Sequence, residues 1–481
     1  MKIKRITNFF FLGQVVLLLA MLIMPRVQVK AQSNMRLYFC SRWDNDSLKK
    51  IGDQTFNDLW GWAAPDGREY AIIGSVDSIY FIEVSDPKNP KVRAVAAGRY
   101  NNCIHRDMVT YSHYAYCVAD EGNSSLQIFD LQYLPDSVHK VYDSDTLLSK
   151  AHSIYIYKDI LYFAYPKSKK NSSLIAHALM TASLATDPEH PKWLHTIEAN
   201  SSFEYVHDLF VRNDTAFLNC GTDGLWIYSF VNPLAPYSIT SVTTYPDEGF
   251  CHSSAVTPDG KNLFFTDENS GMRIKRYDIS TLKNGRTSDR KPNFKDLFGL
   301  HYQLGSIAHN PYVKDHYLIC SYYQDGVAVF DINDSDKLVD YYDTYPQNGN
   351  AYFGYEGCWG VYPYLPSGTI IASDMTNGLF CLRLRDTSTA VEQAIPLEAS
   401  FKLFPNPVAN HAFIYYRGLK TLKGQIIIYR PDADVCFQYQ VVFNSSSQNI
   451  EIPEIAHLPA GIYFLKINTS EGNITFKFCK I

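Results

Sequence analysis

Cysteine, net charge and long apolar runs are all scarce in this sequence. Ten cysteines in 481 residues fall far below the roughly 8–10% of a disulfide scaffold. Most lie inside apolar stretches such as Tyr317-Leu-Ile-Cys320 and Ala115-Tyr-Cys117, without the CxxC or Cys/His spacing of a zinc site. Isolated core thiols are therefore expected, with Cys436 and Cys479 the pair that one small domain could join. Lys+Arg 44 against Asp+Glu 49 leaves −5, which excludes the basic excess of a nucleic-acid footprint. Charged residues, at 19%, sit below the roughly 25% of average soluble domains. The repeat region described below contains no G-x-S-x-G elbow, no HExxH and no GxxxxGK[ST] loop. The familiar hydrolase, zincin and nucleotide signatures are absent from it.

A single apolar run, Phe9 to Met24, nears membrane length. Lys2, Lys4 and Arg5 precede it, and Val29-Lys-Ala31 follows with small residues suited to cleavage. That three-part order reads as a signal peptide over residues 1–31. A membrane anchor is the other reading, but Gln14 interrupts a run already short for a ~20-residue span. No cysteine follows the cleavage point to carry a lipid. The mature chain is expected outside the cytoplasm, without a transmembrane helix.

Aromatic residues are plentiful: 35 Tyr, 28 Phe and 6 Trp. They exclude a solvating disordered chain and favour pleated, half-buried surfaces. They also recur in a pattern. CIHRDMVTYSHYAYCVADEGNSSLQIFDL from Cys103 and YVHDLFVRNDTAFLNCGTDGLWIYSF from Tyr205 share one layout with segments beginning at Cys251 and Ile307. Each runs His, apolar strand, polar turn, apolar strand, Asp/Gly turn, third strand. Weaker copies start near Asp58, His152 and Cys358. The anchors 58, 105, 152, 207, 252, 309 and 358 are spaced by 47, 47, 55, 45, 57 and 49 residues, averaging 50. An all-strand repeat of that length predicts a β-propeller with four-stranded blades.

A fourth strand follows a recurrent proline turn, at Asp86-Pro-Lys-Asn-Pro90, Asp187-Pro-Glu-His-Pro191 and Asn232-Pro-Leu-Ala-Pro236. The seventh copy, ending near Leu384, has none. An orphan strand, Met35 to Cys40, stands instead at the N-terminus. Pairing it with Leu379 to Leu384 closes seven blades without an open edge; six and eight blades are the alternatives. The propeller spans residues 32–385 and a polar linker 386–400. Residues 401–481 alternate apolar positions between Gly, Asn and Pro turns, the pattern of a small Ig-like β-sandwich.

Two resemblances follow from particular residues. Lys402-Leu-Phe-Pro-Asn-Pro407, Gly424-Gln-Ile-Ile-Ile-Tyr429, Leu458-Pro-Ala-Gly-Ile-Tyr-Phe-Leu-Lys-Ile467 and the Lys-containing end resemble the type A sorting domain of the type IX secretion system of Bacteroidetes-like bacteria. Pro405, Asn406, Pro407, Gly461 and Tyr463 carry the match, and Cys479 departs from it. The resemblance implies export through that machinery, engaged by residues 401–481, with a product released or held at the cell surface. The repeat region is similar to the LVIVD-repeat, choice-of-anchor B family through Asp58-Leu-Trp-Gly-Trp62, Gly67-Arg-Glu-Tyr-Ala71, Phe81-Ile-Glu-Val-Ser-Asp-Pro87, and Cys251-His-Ser-Ser with Thr266-Asp-Glu268. It implies surface location and architecture, not chemistry. The third repeat departs most, with Tyr165-Pro-Lys-Ser-Lys-Lys170 in place of a short acidic turn.

One constellation has chemical potential. His105, His152, His207, His252 and His309 hold equivalent positions at the entry of each innermost strand. Asp120, Asp223, Asp267 and Asp325, with Asp77 and Asp374, hold equivalent second loops that open on the same face. Repeats commonly reuse a His to satisfy turn groups, and Asp before Gly is an ordinary turn residue. Imidazole beside carboxylate also suits a divalent metal, a cationic ligand or acid–base work near neutral pH. The leading expectation is a secreted or cell-surface binding and adhesion scaffold with a protein or glycan ligand. The alternative is a glycan-processing or metal-dependent enzyme using the His/Asp ring.

Overall fold

The computed structural model describes residues 35–170, 173–282, 291–348, 352, 354–386, 400–416, 421–443 and 448–481. The expected signal peptide and most of the linker lie outside the described residues. The chain divides into two compact units, residues 1–387 and 388–481. No helix among the described residues is long and apolar enough to cross a membrane.

Seven four-stranded antiparallel sheets build the described part of the first unit. Their first strands, Phe56–Ala63, Arg106–Tyr111, Ser153–Tyr157, Asp208–Arg212, Cys251–Val256, Ala308–Lys314 and Cys358–Tyr362, pack side by side in that order, and the last returns to the first. Central strands are covered on both faces and are largely apolar: Glu69–Ser75 and Leu126–Asp130 are buried throughout. Outer strands face solvent, as Lys91–Ala97 does with Lys91, Val92 and Val95 exposed. The core lies between sheets. Trp62, Tyr70, Ile72 and Phe81 of the first sheet pack on Met108, Cys117 and Phe129 of the second. Proline turns before the outer strands are fixed by their first residue, since Asp86, Asp187 and Asn232 accept the backbone N–H two residues on.

Six sheets take four strands in chain order. The seventh takes its outer strand from the start of the described chain: Met35–Trp43 pairs with Gly378–Asp386, from Leu37 opposite Leu384 to Trp43 opposite Leu379. In the third repeat, Lys167–Lys170 and Ser173–Ala176 form an extra hairpin between the second and third strands.

The second unit has a three-stranded sheet (Phe401–Phe404, Phe413–Tyr416, Gln448–Glu451) and a four-stranded one. Phe401, Val408, Ile414, Ile426, Leu465 and Phe478 share its core. Cys436 and Cys479 are both free, which corrects the expected pairing. Their strands, Val435–Phe443 and Gly472–Lys480, are the opposite edges of the four-stranded sheet. Three strand spacings put them roughly 14 Å apart, beyond the ~7 Å Cα limit of a disulfide.

Candidate functional site

The five histidines converge on the axis of the first unit. With Trp359 they close a circuit of rings: His105–His152, His152–His207, His207–His252, His252–His309, His309–Trp359 and Trp359–His105 have centroids 4.1 to 5.8 Å apart. His252 and His309 are only 4% and 3% exposed. A second polar layer adjoins this one, made by Asp58, Asp107, Ser153, Asp208 and Asn310. Consecutive strand residues normally face opposite ways. Bulges at Cys251/Ser253, Ala308/Pro311 and Cys358/Gly360 break that alternation where the ring residue sits inside its strand. Gly360 leaves room for Asp58, whose Oδ1 would stand 1.9 Å from a Cβ there. Two residues further along, Trp60 contacts Tyr312 and Tyr362, and Tyr155 contacts Phe210.

The polar groups largely satisfy one another. Asp120 Oδ2 lies 2.6 Å from His152 Nδ1, and Glu121 Oε1 lies 2.5 Å from His105 Nδ1. Glu121 also accepts the Ile104 and His105 backbone N–H groups. His309 Nδ1 donates to the Trp359 carbonyl at 2.6 Å. Ser153 Oγ donates to Asp208 at 2.9 Å, and the Ile154 N–H donates to Asp107 at 2.8 Å. The cavity at the ring, partly open to solvent, is about 40 Å³, against roughly 10–15 Å³ for one water in the same measure. It holds a few waters or an ion, not a sugar ring.

Aromatics extend outward from the histidines, from buried Tyr323 through half-buried Tyr165, Tyr205 and Phe250 to exposed Tyr355. Phe250 and Tyr205 pack on His207, Tyr165 on Tyr205, Tyr323 on His309 and Tyr355 on Tyr323. Tyr355 is 51% exposed. Asp120, Glu121 and Glu268 stand among them.

Burial holds His252 and His309 down to about 3 against an ordinary 6.5, with neighbouring histidines adding to the effect. His207 is lowered for the same reasons. Burial works the same way on His105, but the Glu121 hydrogen bond and the Asp120 and Glu121 charges outweigh it and raise its pKa. Burial opposes ionisation of Glu121, yet its hydrogen bonds from His105 and Cys103 draw it down to about 2. In the second layer, burial raises Asp58, Asp107 and Asp208, and their mutual charge raises Asp58 and Asp107 further. A carboxyl raised in the fold stabilises fully below its unfolded value, 3.8 here, and that contribution is lost as pH rises through the folded value. Asp107→Asn removes this loss. Its Tm relative to the parent is therefore expected to rise between pH 4 and pH 8 in thermal melts; a difference independent of pH would mean that Asp107 titrates normally.

Among the expected loop carboxylates, Asp120 alone of Asp120, Asp223, Asp267 and Asp325 joins the ring. Asp223 accepts the Glu204 N–H. Asp267 pairs with Lys275 at 2.6 Å, both fully buried, and accepts from Tyr245. Asp325 binds His301, Ser306 and Tyr352. Asp77 and Asp374 likewise serve their own loops. These carboxylates other than Asp120 are thus engaged by nearby donors and not by the ring histidines. In the Asp120-Glu121 and Asp267-Glu268 pairs, the Glu following the turn Asp reaches the ring. In the tail, Asn406 Nδ2 donates to the Lys477 carbonyl and its Oδ1 accepts the Cys479 N–H. Pro405 and Pro407 flank it, Gly461 opens the strand Gly461–Thr469, and Tyr463 is buried with its hydroxyl on the Pro459 carbonyl.

Residues 402–480 match the family described as the secretion system C-terminal sorting domain. The tail is thus a type IX sorting domain, and the protein is secreted or displayed at the cell surface. No curated protein matches the chain. Among solved structures, the β-propeller domain of Cps50 (Swd1) from Myceliophteria thermophila is similar over 72% of this chain and 98% of that one, at 10% identity and a TM-score of 0.50. The first unit has the β-propeller fold. PorZ, a surface component of the type IX secretion system of Porphyromonas gingivalis, aligns over 91% of this chain at 11% identity and a TM-score of 0.45; this chain spans 61% of its length.

Proposed function

We propose that this chain is a surface-displayed binding scaffold: a seven-bladed propeller of the LVIVD-repeat, choice-of-anchor B kind, carried out by an Ig-like sorting tail after signal-peptide cleavage. The aromatic collar around the histidine ring carries the reading. Tyr165, Tyr205, Phe250 and Tyr355 present rigid rings with little entropy to lose, the chemistry of protein and glycan recognition surfaces. The small cavity beneath favours a ligand that rests on the collar over a substrate drawn into the axis, and so favours scaffold over glycan-processing enzyme.

Glycan arrays and whole-cell adhesion with the purified full chain test this. The parent is expected to bind a defined set of ligands, and the Tyr205→Ala/Tyr355→Ala variant to bind them at least ~10-fold more weakly, since an aromatic hot spot is worth roughly 2 kcal/mol. Unchanged binding by the double variant, or no binding by the parent, overturns the proposal.

A further inference from the structure

The two sides of the histidine ring are built differently. On one side the donors and acceptors are used up. Glu121 takes His105 Nδ1, the Ile104 and His105 backbone N–H groups and the Cys103 thiol, while Asp120 takes His152 Nδ1. On the other side they are left open. His207 Nδ1 and His252 Nδ1 are buried without a hydrogen-bond partner among the described residues. A buried ring nitrogen in that state calls for a water or an ion; in His252 the nitrogen facing Glu268 is the other one, Nε2, so its Nδ1 calls for a water.

The open side also has metal-like spacing. One donor atom each from His207, His252 and Glu268 lies within 4.8 Å of the other two. His252 Nε2 stands 3.8 Å from Glu268 Oε2, and His309 Nε2 stands 3.6 Å from Glu268 Oε1. Ligand bonds of 2.0–2.1 Å in a tetrahedron put neighbouring donors roughly 3.4 Å apart, so small side-chain adjustments suffice. Outer contacts already reach Glu268. His309 gives its Nδ1–H to the Trp359 carbonyl, which leaves Nε2 as the lone-pair nitrogen towards Glu268. The Tyr323 hydroxyl donates to Glu268. Fixing a carboxylate from behind is how proteins prepare such a ligand for a metal.

We propose that His207, His252 and Glu268 bind one divalent first-row transition metal at the axis, with water completing its shell. Two imidazoles and one carboxylate suit zinc and its neighbours better than calcium or magnesium, which prefer all-oxygen shells. The ion would tie two neighbouring repeats together, through His207 of one and His252 and Glu268 of the next. This site is independent of whatever the aromatic collar binds.

The test uses the purified full-length protein, stripped with EDTA, desalted and titrated with Zn²⁺ or Co²⁺. One ion per chain is expected after gel filtration, measured by elemental analysis, with the visible spectrum of four-coordinate Co²⁺ and a raised Tm. Glu268→Gln and His252→Asn should each weaken binding at least ~100-fold. His105→Asn, on the saturated side, should retain the ion. Glu268→Gln is close to isosteric and decides the matter if His252→Asn fails to fold. A parent that takes up no ion, or a Glu268→Gln variant that binds like the parent, overturns the proposal and leaves waters as the partners of these nitrogens.

Discussion

Truncation after Ser400 is expected to reduce surface display to background while the rest of the chain folds and accumulates in the periplasm. The tail's core is its own: Phe401, Val408, Ile414, Leu465, Ile467 and Phe478 bury one another. The match to the sorting family is confined to residues 402–480. Removing the tail therefore removes the export address and no side chain of the seven sheets. Protease accessibility on intact cells, set against periplasmic extracts, measures the outcome. The effect should be all-or-none, because an address is either read or missed. Surface display at the parental level would sink the assignment of export to this tail.

The export address was legible because short motifs with fixed order specify it. The repeat was legible for a related reason. The same strand pattern recurs about every 50 residues, and five of its anchors are histidines. The second polar layer was not legible. Asp208 follows its ring residue by one position, where strict alternation would turn a strand residue away from the axis; Asp107 follows His105 by two, and Asp58 belongs to a repeat with no histidine to mark the ring. Their signal is the run of small polar residues there, Asp58, Asp107, Ser153, Asp208, Ser253 and Asn310, which recurs as regularly as the histidines do. The partners of the loop carboxylates were not legible for another reason. A repeated position fixes a backbone location, but a short Asp side chain goes to the nearest donor, as Asp267 does to Lys275 and Asp325 to His301.

Deletion of residues 35–43 is expected to lower Tm sharply or to cause aggregation, because that strand is a strap across three sheets. Its backbone completes the seventh sheet against Gly378–Asp386. Leu37 is buried with Phe380 and Leu382, and its N–H donates to Asp340 of the sixth sheet at 2.8 Å. Phe39 stacks on Tyr342 at 5.5 Å. At the other end Trp43 packs on Phe56 and Tyr80 of the first sheet, and Ser41 Oγ donates to the Pro87 carbonyl at 2.6 Å. Each large apolar side chain fully withdrawn from water contributes roughly 1.5–3 kcal/mol. Phe39 remains 40% exposed, so Leu37 and Trp43 carry most of the loss, and several kcal/mol is the expected total. Domains are stable by only about 5–15 kcal/mol, so a loss of that size is a large share of the whole. The deletion also bares the edge of Gly378–Asp386, a template for pairing with another chain. A dispensable N-terminal leader would behave otherwise: its removal would leave the thermal melt within a degree or two of the parent and the protein monodisperse. Light scattering and thermal melts on the deletion variant distinguish the two, and a parental melt would mean that the ring does not depend on this strand for its closure.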